Sequence, residues 1–279
     1  MGPPGNRVWQ SIGPAGTLAR NENRFYFAAY GVAVPRVYIH ELVDVVGTER
    51  SRYQHHMTAN WVPEVAGLRR QRCFGVFTVV GSTGRWPQVM NLWELDSWED
   101  LAHDLELELS APGHRDPVLA AWWERAATFR TGGLDRVLVA HPSSPGVRDW
   151  EARGGTGAAV YVQEVLRCPP GAAGDVCDAV VGPGAADHER FGMQLVGAFR
   201  TAMAADDEVV ALWAVPDWPS WVAYEQASDG GRVEFFHLWE RLGGLVTARD
   251  RTLVVDAELS PLRIGRQPVA ADRRPLDQV

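Results

Sequence analysis

The chain has 279 residues, 46% of them hydrophobic, with 27 Lys and Arg against 35 Asp and Glu and a net charge of −8. That length suits two fused halves or one large domain, with enough apolar material for a full core. Its acids and bases are mixed along the chain, without the concentrated basic face that nucleic acid or an anionic membrane requires, so neither is an expected partner.

Three cysteines, Cys73, Cys168 and Cys177, are odd in number and none stands in a C-x-x-C pair. They predict free thiols in a reducing cytoplasm, with no metal role. The opening MGPPGNRVWQSIGPAG lacks the basic start and apolar run of a signal peptide, and no window reaches about 18 consecutive apolar residues, so export and membrane spanning are not expected. Twelve tryptophans stand beside only six tyrosines, a usage that suits thick aromatic packing or the wall of an apolar cavity.

Residues 1–35 read as an N-terminal arm, whose stretch Arg24 to Tyr30, RFYFAAY, is too aromatic for a free tail and is expected to pack onto the body or another subunit. From there on, the same signals recur in the same order in two stretches, 36–140 and 158–260. Each opens on a β-branched strand, Val37-Tyr38-Ile39-His40-Glu41 and Val160-Tyr161-Val162-Gln163-Glu164. A helical stretch follows with a proline near its end, Pro63 and Pro183. In the first copy Tyr53, Met57, Trp61, Val65 and Leu68 form its apolar stripe, with Arg69 off the stripe. The second copy, carrying Gly182-Pro183-Gly184, is the poorer helix by propensity.

A short strand comes next in each copy, Cys73 to Phe77 and Leu195 to Phe199, with Gly75 and Gly197 marking a bulge or a close backbone approach. A third strand, Val89 to Trp93 and Val209 to Trp213, leads to the helix-start signals Asp96-Ser97 and Asp217-Trp218-Pro219-Ser220. Asp116-Pro117 is a cap and first-turn pair for the helix through Trp122 and Trp123. Each copy closes on a strand, Asp135 to Val139 and Asp250 to Val254. The offset between copies drifts from 123 (Val37 to Val160) to 115 (Asp135 to Asp250), as loop insertions and deletions would produce. Each unit reads β-α-β-β-α-β, a split βαβ arrangement with helices on one sheet face. The uncovered face must find a partner, and the second copy is the obvious one. Residues 141–157 read as a Pro/Gly/Ser linker, and 261–279 as a polar, mobile tail.

The stretches Val37 to Glu41, Val89 to Trp98, and Trp122 to Arg125 with Phe129 to Arg136, together with most of their second-copy counterparts, resemble NIPSNAP-type proteins of the dimeric α+β barrel superfamily. The resemblance covers about three quarters of the chain and is carried by structural, aromatic motifs. It implies an α+β fold, two tandem ferredoxin-like units packed sheet to sheet as an intramolecular dimeric α+β barrel, and a small-molecule pocket between them. It names no reaction, since relatives on this fold include cofactorless monooxygenases, polyketide cyclases and haem proteins. No G-x-x-D-G signature of the peroxidases is present. Haem-binding relatives place an axial histidine on the last helix of the second half, where this chain has His237.

His40, His55 and His56 are the candidates for catalysis. His40 and Glu41 point to opposite faces of their strand, and His55 and His56 point about 100° apart on their helix. A site therefore takes one from each pair, as a general base or as part of a metal set. The competing reading makes them hydrogen-bonded histidines with no catalytic work. Tyr38, Asn91, Trp93, Tyr161, Gln163 and Trp213 are the candidate substrate contacts. Gln163 stands where the first copy has His40, and Ala211 where it has Asn91, and such asymmetric positions are where function is expected. Glu41 and Glu164 occur in both copies and are expected to hold each unit together, for instance through Arg136 and Arg251. Trp93 and Trp213 line either the interior or the helix layer; periodicity leaves both open.

No Gly-rich phosphate loop, G-x-S-x-G elbow or H-E-x-x-H helix is present. The expected function is a cytoplasmic protein that binds or transforms a small, largely apolar metabolite between its halves, by acid/base or cofactorless oxygenase or cyclase chemistry. The alternatives are a non-catalytic binding or assembly protein of the NIPSNAP type and a haem- or metal-dependent enzyme. No cofactor follows from the residues themselves, and a homodimer is compatible with them.

Overall fold

A computed structural model describes residues 34–109, 117–230 and 237–279. The aromatic arm around residues 24–30 and the capping residue Asp116 lie outside the described residues. Strand β1, Val37–Val45, alternates buried side chains between two faces and leads into helix α1, Arg50–His55. This helix continues as a π-helical stretch, His56–Trp61, and a last α-turn, Val62–Val65. Pro63 accounts for the irregularity: it has no N–H to give to Ala59, four residues back, so the regular ladder cannot run through it. Tyr53, Met57, Trp61 and Val65 are buried as their spacing requires, but the helix ends before Leu68, which is exposed. Arg69, read as an outward residue, turns inward instead, ion-paired with Asp104 at 3.2 Å and lying over the Trp61 ring.

The chain then runs through β2 (Arg72–Val79), β3 (Gln88–Leu95), helices α2 (Trp98–Leu109) and α3 (Pro117–Ala126), and β4 (Arg130–Ala140). Ser97 caps α2 by accepting the Asp100 N–H. After α4 (Val147–Ala152) come β5 (Val160–Arg167) and α5, built from Ala173–Ala179, a π-helical Val180–Gly184 around Pro183, and Ala185–Glu189. Next are β6 (Gln194–Thr201), β7 (Glu208–Val215), α6 (Trp218–Asp229), α7 (His237–Leu242), β8 (Ala248–Asp256) and the short α8 (Pro261–Ile264). Asp217 caps α6 through the Ser220 N–H at 2.7 Å. No helix among the described residues is long and apolar enough to cross a membrane.

The eight strands close into one barrel in the order β1-β3-β2-β8-β5-β7-β6-β4. The first four strands thus lie as β4-β1-β3-β2 and the last four as β8-β5-β7-β6. Antiparallel pairing of β2 with β8 and of β4 with β6 joins the two sets at both edges. Tyr38, Met90, Leu92 and Leu138 point inward from the first set, and Tyr161, Val210, Leu212 and Val254 from the second. At matching places β2 and β6 bulge, after Cys73 and Leu195. A Cβ on Gly75 would fall 2.5 Å from the Phe77 ring, and one on Gly197 would fall 2.4 Å from the Phe199 ring, so each glycine clears the space its neighbouring phenylalanine fills. Phe199 then meets Tyr38 edge-on at 4.8 Å and Phe77 meets Tyr161 at 5.1 Å. All four rings are fully buried. The interior of this small barrel is a packed core, as eight strands favour, and these rings fill the space between the halves where a small-molecule pocket was expected.

The remaining connections fasten onto the barrel. The stretch read as a linker carries α4, whose Val147 and Trp150 join the interior cluster. The tail read as mobile is held by specific bonds: Gln267 donates to the Cys73 carbonyl at 2.8 Å and accepts its N–H at 3.1 Å, Arg266 pairs with Asp272, and the Arg274 N–H donates to His55. Bonds whose partners lie about 200 residues apart leave no local trace in the sequence.

Two outcomes follow from this packing. Phe199→Ala should lower stability by about 3–5 kcal/mol in urea denaturation followed by circular dichroism, and a loss below about 1 kcal/mol would place the ring outside a closed core. His188 is stacked on Trp213 at 3.6 Å and donates Nδ1–H to the Gly184 carbonyl, and burial pushes it down from 6.5 to about 4. The folded state therefore refuses a proton that the unfolded chain accepts, so the stability is present above pH 6.5 and is lost as pH falls toward 4. His188→Gln should flatten the stability-versus-pH curve across that window by up to about 1.4 kcal/mol per pH unit relative to the parent chain.

Candidate functional site

The residues singled out by sequence divide between the two faces of the barrel wall. Tyr38, His40, Tyr161 and Gln163 point inward. His40 Nε2 lies 2.9 Å from Gln163 Oε1, so the residues at equivalent positions of the two copies meet across the interior. His40 is fully enclosed, burial pushes it down to about 4, and the charged groups that act on it are Arg136 and Glu208. Tyr38 donates to Glu94 at 2.6 Å, and Tyr161 to Asp256 at 3.2 Å. These four hold one another and the barrel ends.

Asn91, Trp93 and Trp213 point the other way, beneath the helices, because Met90, Leu92 and Leu212 take the inward positions of β3 and β7. Asn91 and His40 therefore do not share a cavity, and the expected grouping of the two is corrected. Asn91 donates to Glu41 at 3.0 Å and to the Tyr53 hydroxyl at 3.0 Å, and Trp93 Nε1 donates to Glu41 at 2.8 Å. On the second half, Trp213 Nε1 donates to Glu164 at 3.2 Å. The two glutamates thus secure the tryptophans beneath the helix layer. Their expected arginine partners are different: Arg136 points inward and binds Glu208 at 2.8 Å, Arg251 pairs with Glu225, and Arg249 reaches Glu164. Burial pushes the Glu41 carboxyl up; for Glu164 the same burial is overridden by Arg249, which holds it below its ordinary range.

His55 and His56, adjacent on α1, separate as their 100° offset requires. His55 Nε2 accepts the Arg274 N–H at 3.0 Å and faces the C-terminal segment; burial, then Arg274, lowers its pKa. His56 lies against α3, stacked on Trp122 with ring centroids 5.2 Å apart and planes 6° apart. Its Nε2 is 3.4 Å from the Trp122 carbonyl and its Nδ1 is 3.1 Å from the Asn60 amide nitrogen. A carbonyl only accepts and an amide nitrogen only donates, so Nε2 carries the proton and Nδ1 presents its lone pair. Burial pushes His56 down to about 4, with Arg125 adding to the shift, so the ring is neutral at physiological pH.

His56 also forms part of the wall of an open cleft of about 520 Å³ between α1, α3 and the C-terminal segment, with Asn60, Trp61, Glu64, Trp122 and Arg273 among its other walls. Trp61 and Trp122 sit 5.0 Å apart and form its aromatic side. A smaller cleft of about 330 Å³ lies beyond α3 at Val43, Trp123, Arg130 and Asp135, with Arg130 3.2 Å above the Trp123 ring. The larger cleft combines an apolar wall with a few convergent polar groups, the usual makeup of a small-molecule site. Of its residues only His56 was singled out from sequence as a functional group. Asn60 carried no signal, Trp61 and Trp122 read as packing, and Arg273 arrives from more than 200 residues away. The one local clue was Pro63, which leaves the Ala59 carbonyl without its helical donor.

His237, at the place where haem-binding relatives put an axial histidine, is half-exposed. Its Nδ1 binds Asp187 at 3.0 Å, and the other oxygen of Asp187 accepts the Leu238 N–H at 2.9 Å. Behind it the helix side of the second sheet set is filled by Trp213, His188, Tyr224 and Leu238, each 2% exposed or less. Among the described residues no three His, Cys, Asp or Glu side chains converge as a metal set.

No protein-family model matches the sequence, and no curated protein matches it at a significant level. Solved structures do match. A protein of Lactobacillus acidophilus, assigned provisionally as a monooxygenase, superposes with a TM-score of 0.53 at 9% identity, over 85% of this chain and 97% of its own. An anthrone oxidase-like protein gives 0.54 at 15% identity, over 80% and 94%. A NIPSNAP family protein of unknown function from Agrobacterium tumefaciens matches 37% of this chain and 92% of its own, with a TM-score of 0.31 at 20% identity. The solved structures to which this chain is similar thus include proteins of the dimeric α+β barrel type and, over part of the chain, NIPSNAP-family proteins. At these identities the likeness is one of fold.

Proposed function

We propose that this chain binds a small, largely apolar aromatic molecule in the cleft between α1 and α3, and that His56 removes a proton from it without an organic cofactor. The observation that carries this reading is the state of His56: a neutral imidazole, its Nε2–H fixed on the Trp122 carbonyl, its Nδ1 lone pair beside Asn60, in an aromatic cleft of about 520 Å³. The Asn60 amide holds the place that a substrate donor would take. The reading moves the site from the space between the halves, which is filled, to the outer side of the first half.

We infer further that the chain is an internal duplication of units 36–140 and 158–260, with 141–157 as connector. The matching strand orders, the paired bulges and the paired π-helical turns support it. Counting back from Pro63 and Pro183, His56 corresponds to Val176, and Trp122 corresponds to Leu238 by the shared Trp-Glu-Arg that follows. Val176 and Leu238 are buried in the second half's core, so only the first half pairs an imidazole with an indole there. Buried free cysteines at 73, 168 and 177 suit the reducing cytoplasm expected for the chain.

Proton removal from an aromatic ketone such as anthrone gives a resonance-stabilised anion that O2 oxidises directly; anthrone plus O2 gives anthraquinone plus water. The fold neighbours include a provisional monooxygenase and an anthrone oxidase-like protein, which makes anthrone a sensible probe. In an oxygen-electrode assay with anthrone, the chain should accelerate uptake and His56→Gln should lower the rate by about 10²–10⁴-fold. A base must be unprotonated, so the rate should be level above about pH 5 and fall as pH drops through about 4. An unchanged rate in His56→Gln removes His56 from the chemistry. Asn60 already occupying Nδ1 favours a second reading, a non-catalytic binding protein, in which anthrone binds and is not turned over.

A further inference from the structure

We propose that Arg273 is the anion anchor of this cleft and that the preferred ligands are aromatic carboxylates. The proposal rests on the small-molecule reading of the cleft given above. Pro63 provides no N–H to the Ala59 carbonyl, and Arg273 Nε supplies the missing donor at 3.2 Å. The Arg273 Nη2 reaches the Asn60 carbonyl at 3.5 Å and the Glu64 carboxylate. The guanidinium is thereby laid along the irregular turn of α1, in the wall that also presents His56 and Trp61. Among the described residues its Nη1 has no acceptor, which leaves one edge of the fork open.

The turn that carries Arg273 is fixed on both sides. Asp272 accepts two bonds from Arg266, at 2.7 and 2.8 Å, and the Val269 N–H at 2.8 Å. On the other side the Arg274 N–H is held by His55 and the Arg274 side chain by Glu258. The cation is therefore positioned before any ligand arrives, which lowers the ordering cost of binding. Its protein partner Glu64 is half-exposed, and a pair of that kind contributes little to stability. A ligand carboxylate that places its ring against Trp61 and Trp122 gains a charge-assisted bond from the open edge of the guanidinium. Arg273 is the one arginine or lysine among the described residues lining the cleft, whose other polar walls are His56, Asn60 and the Glu64 carboxylate, so a ligand carboxylate entering without that cation would be left without a counter-charge. An uncharged ligand of the same shape keeps the aromatic contacts and loses only the ionic one.

Isothermal titration calorimetry with 2-naphthoate and its uncharged counterpart 2-naphthalenemethanol tests this on the full chain. The parent protein should bind the carboxylate about tenfold more tightly than the alcohol at low salt, with the gap narrowing as salt is added. Arg273→Gln should remove that preference, weakening carboxylate binding about tenfold more than alcohol binding, and Arg273→Lys should retain part of it. Circular dichroism of Arg273→Gln checks that the segment remains folded. Alcohol binding with no carboxylate preference, or a preference that survives Arg273→Gln, overturns the anchor and leaves the cleft reading standing. Failure of both probes to bind overturns both.

Discussion

Two ring contacts decide what the rest of this molecule can be. Tyr38 meets Phe199 and Tyr161 meets Phe77, so the first strand of each sheet set packs against the bulged second strand of the other. Gly75 and Gly197 make the contacts possible, since any Cβ at either position would collide with the phenylalanine ring two residues on. Closing eight strands around these rings spends the interior on packing. A ligand site must then form elsewhere, and the surface between the barrel wall and its helices is what remains.

On that outer side the two halves differ in how completely they are sealed. The second half lays His188 flat on Trp213 and against Tyr224, and neutralises Glu164 with Arg249. The first half keeps the glutamate–tryptophan bond but turns its imidazole, His56, toward Trp122 and an open cleft. Hydrophobic burial thus completes one half, while the other retains polar atoms at the edge of an aromatic wall.

Much of the fold was legible because it is written locally. Strand alternation, the helix-disturbing prolines Pro63 and Pro183, the bulge glycines and the caps at Ser97 and Asp217 all act within a few residues of themselves. The equivalence of His40 and Gln163 could also be read, and they meet at 2.9 Å. Which sheet face Trp93 takes could not, because alternation separates two faces without saying which is inside. The site was less legible. His56 stood out as a titratable group, but its partners Trp122, Asn60 and Arg273 come together through tertiary packing, and the contact to Arg273 spans more than 200 residues.

The low basicity of His56 sets a condition on any chemistry at the cleft. An imidazole held near 4 is ready as a base at every physiological pH, yet it pulls only weakly on a proton. It can act on a carbon or oxygen acid only if the negative charge left behind is stabilised, by delocalisation over an aromatic system or by a nearby cation. The cleft supplies surroundings for the first in Trp61 and Trp122 and a candidate for the second in Arg273. The burial that weakens the base also strengthens its interaction with charge developing beside it, because low-dielectric surroundings screen less. An aromatic, acidic ligand is the chemistry on which these two effects agree.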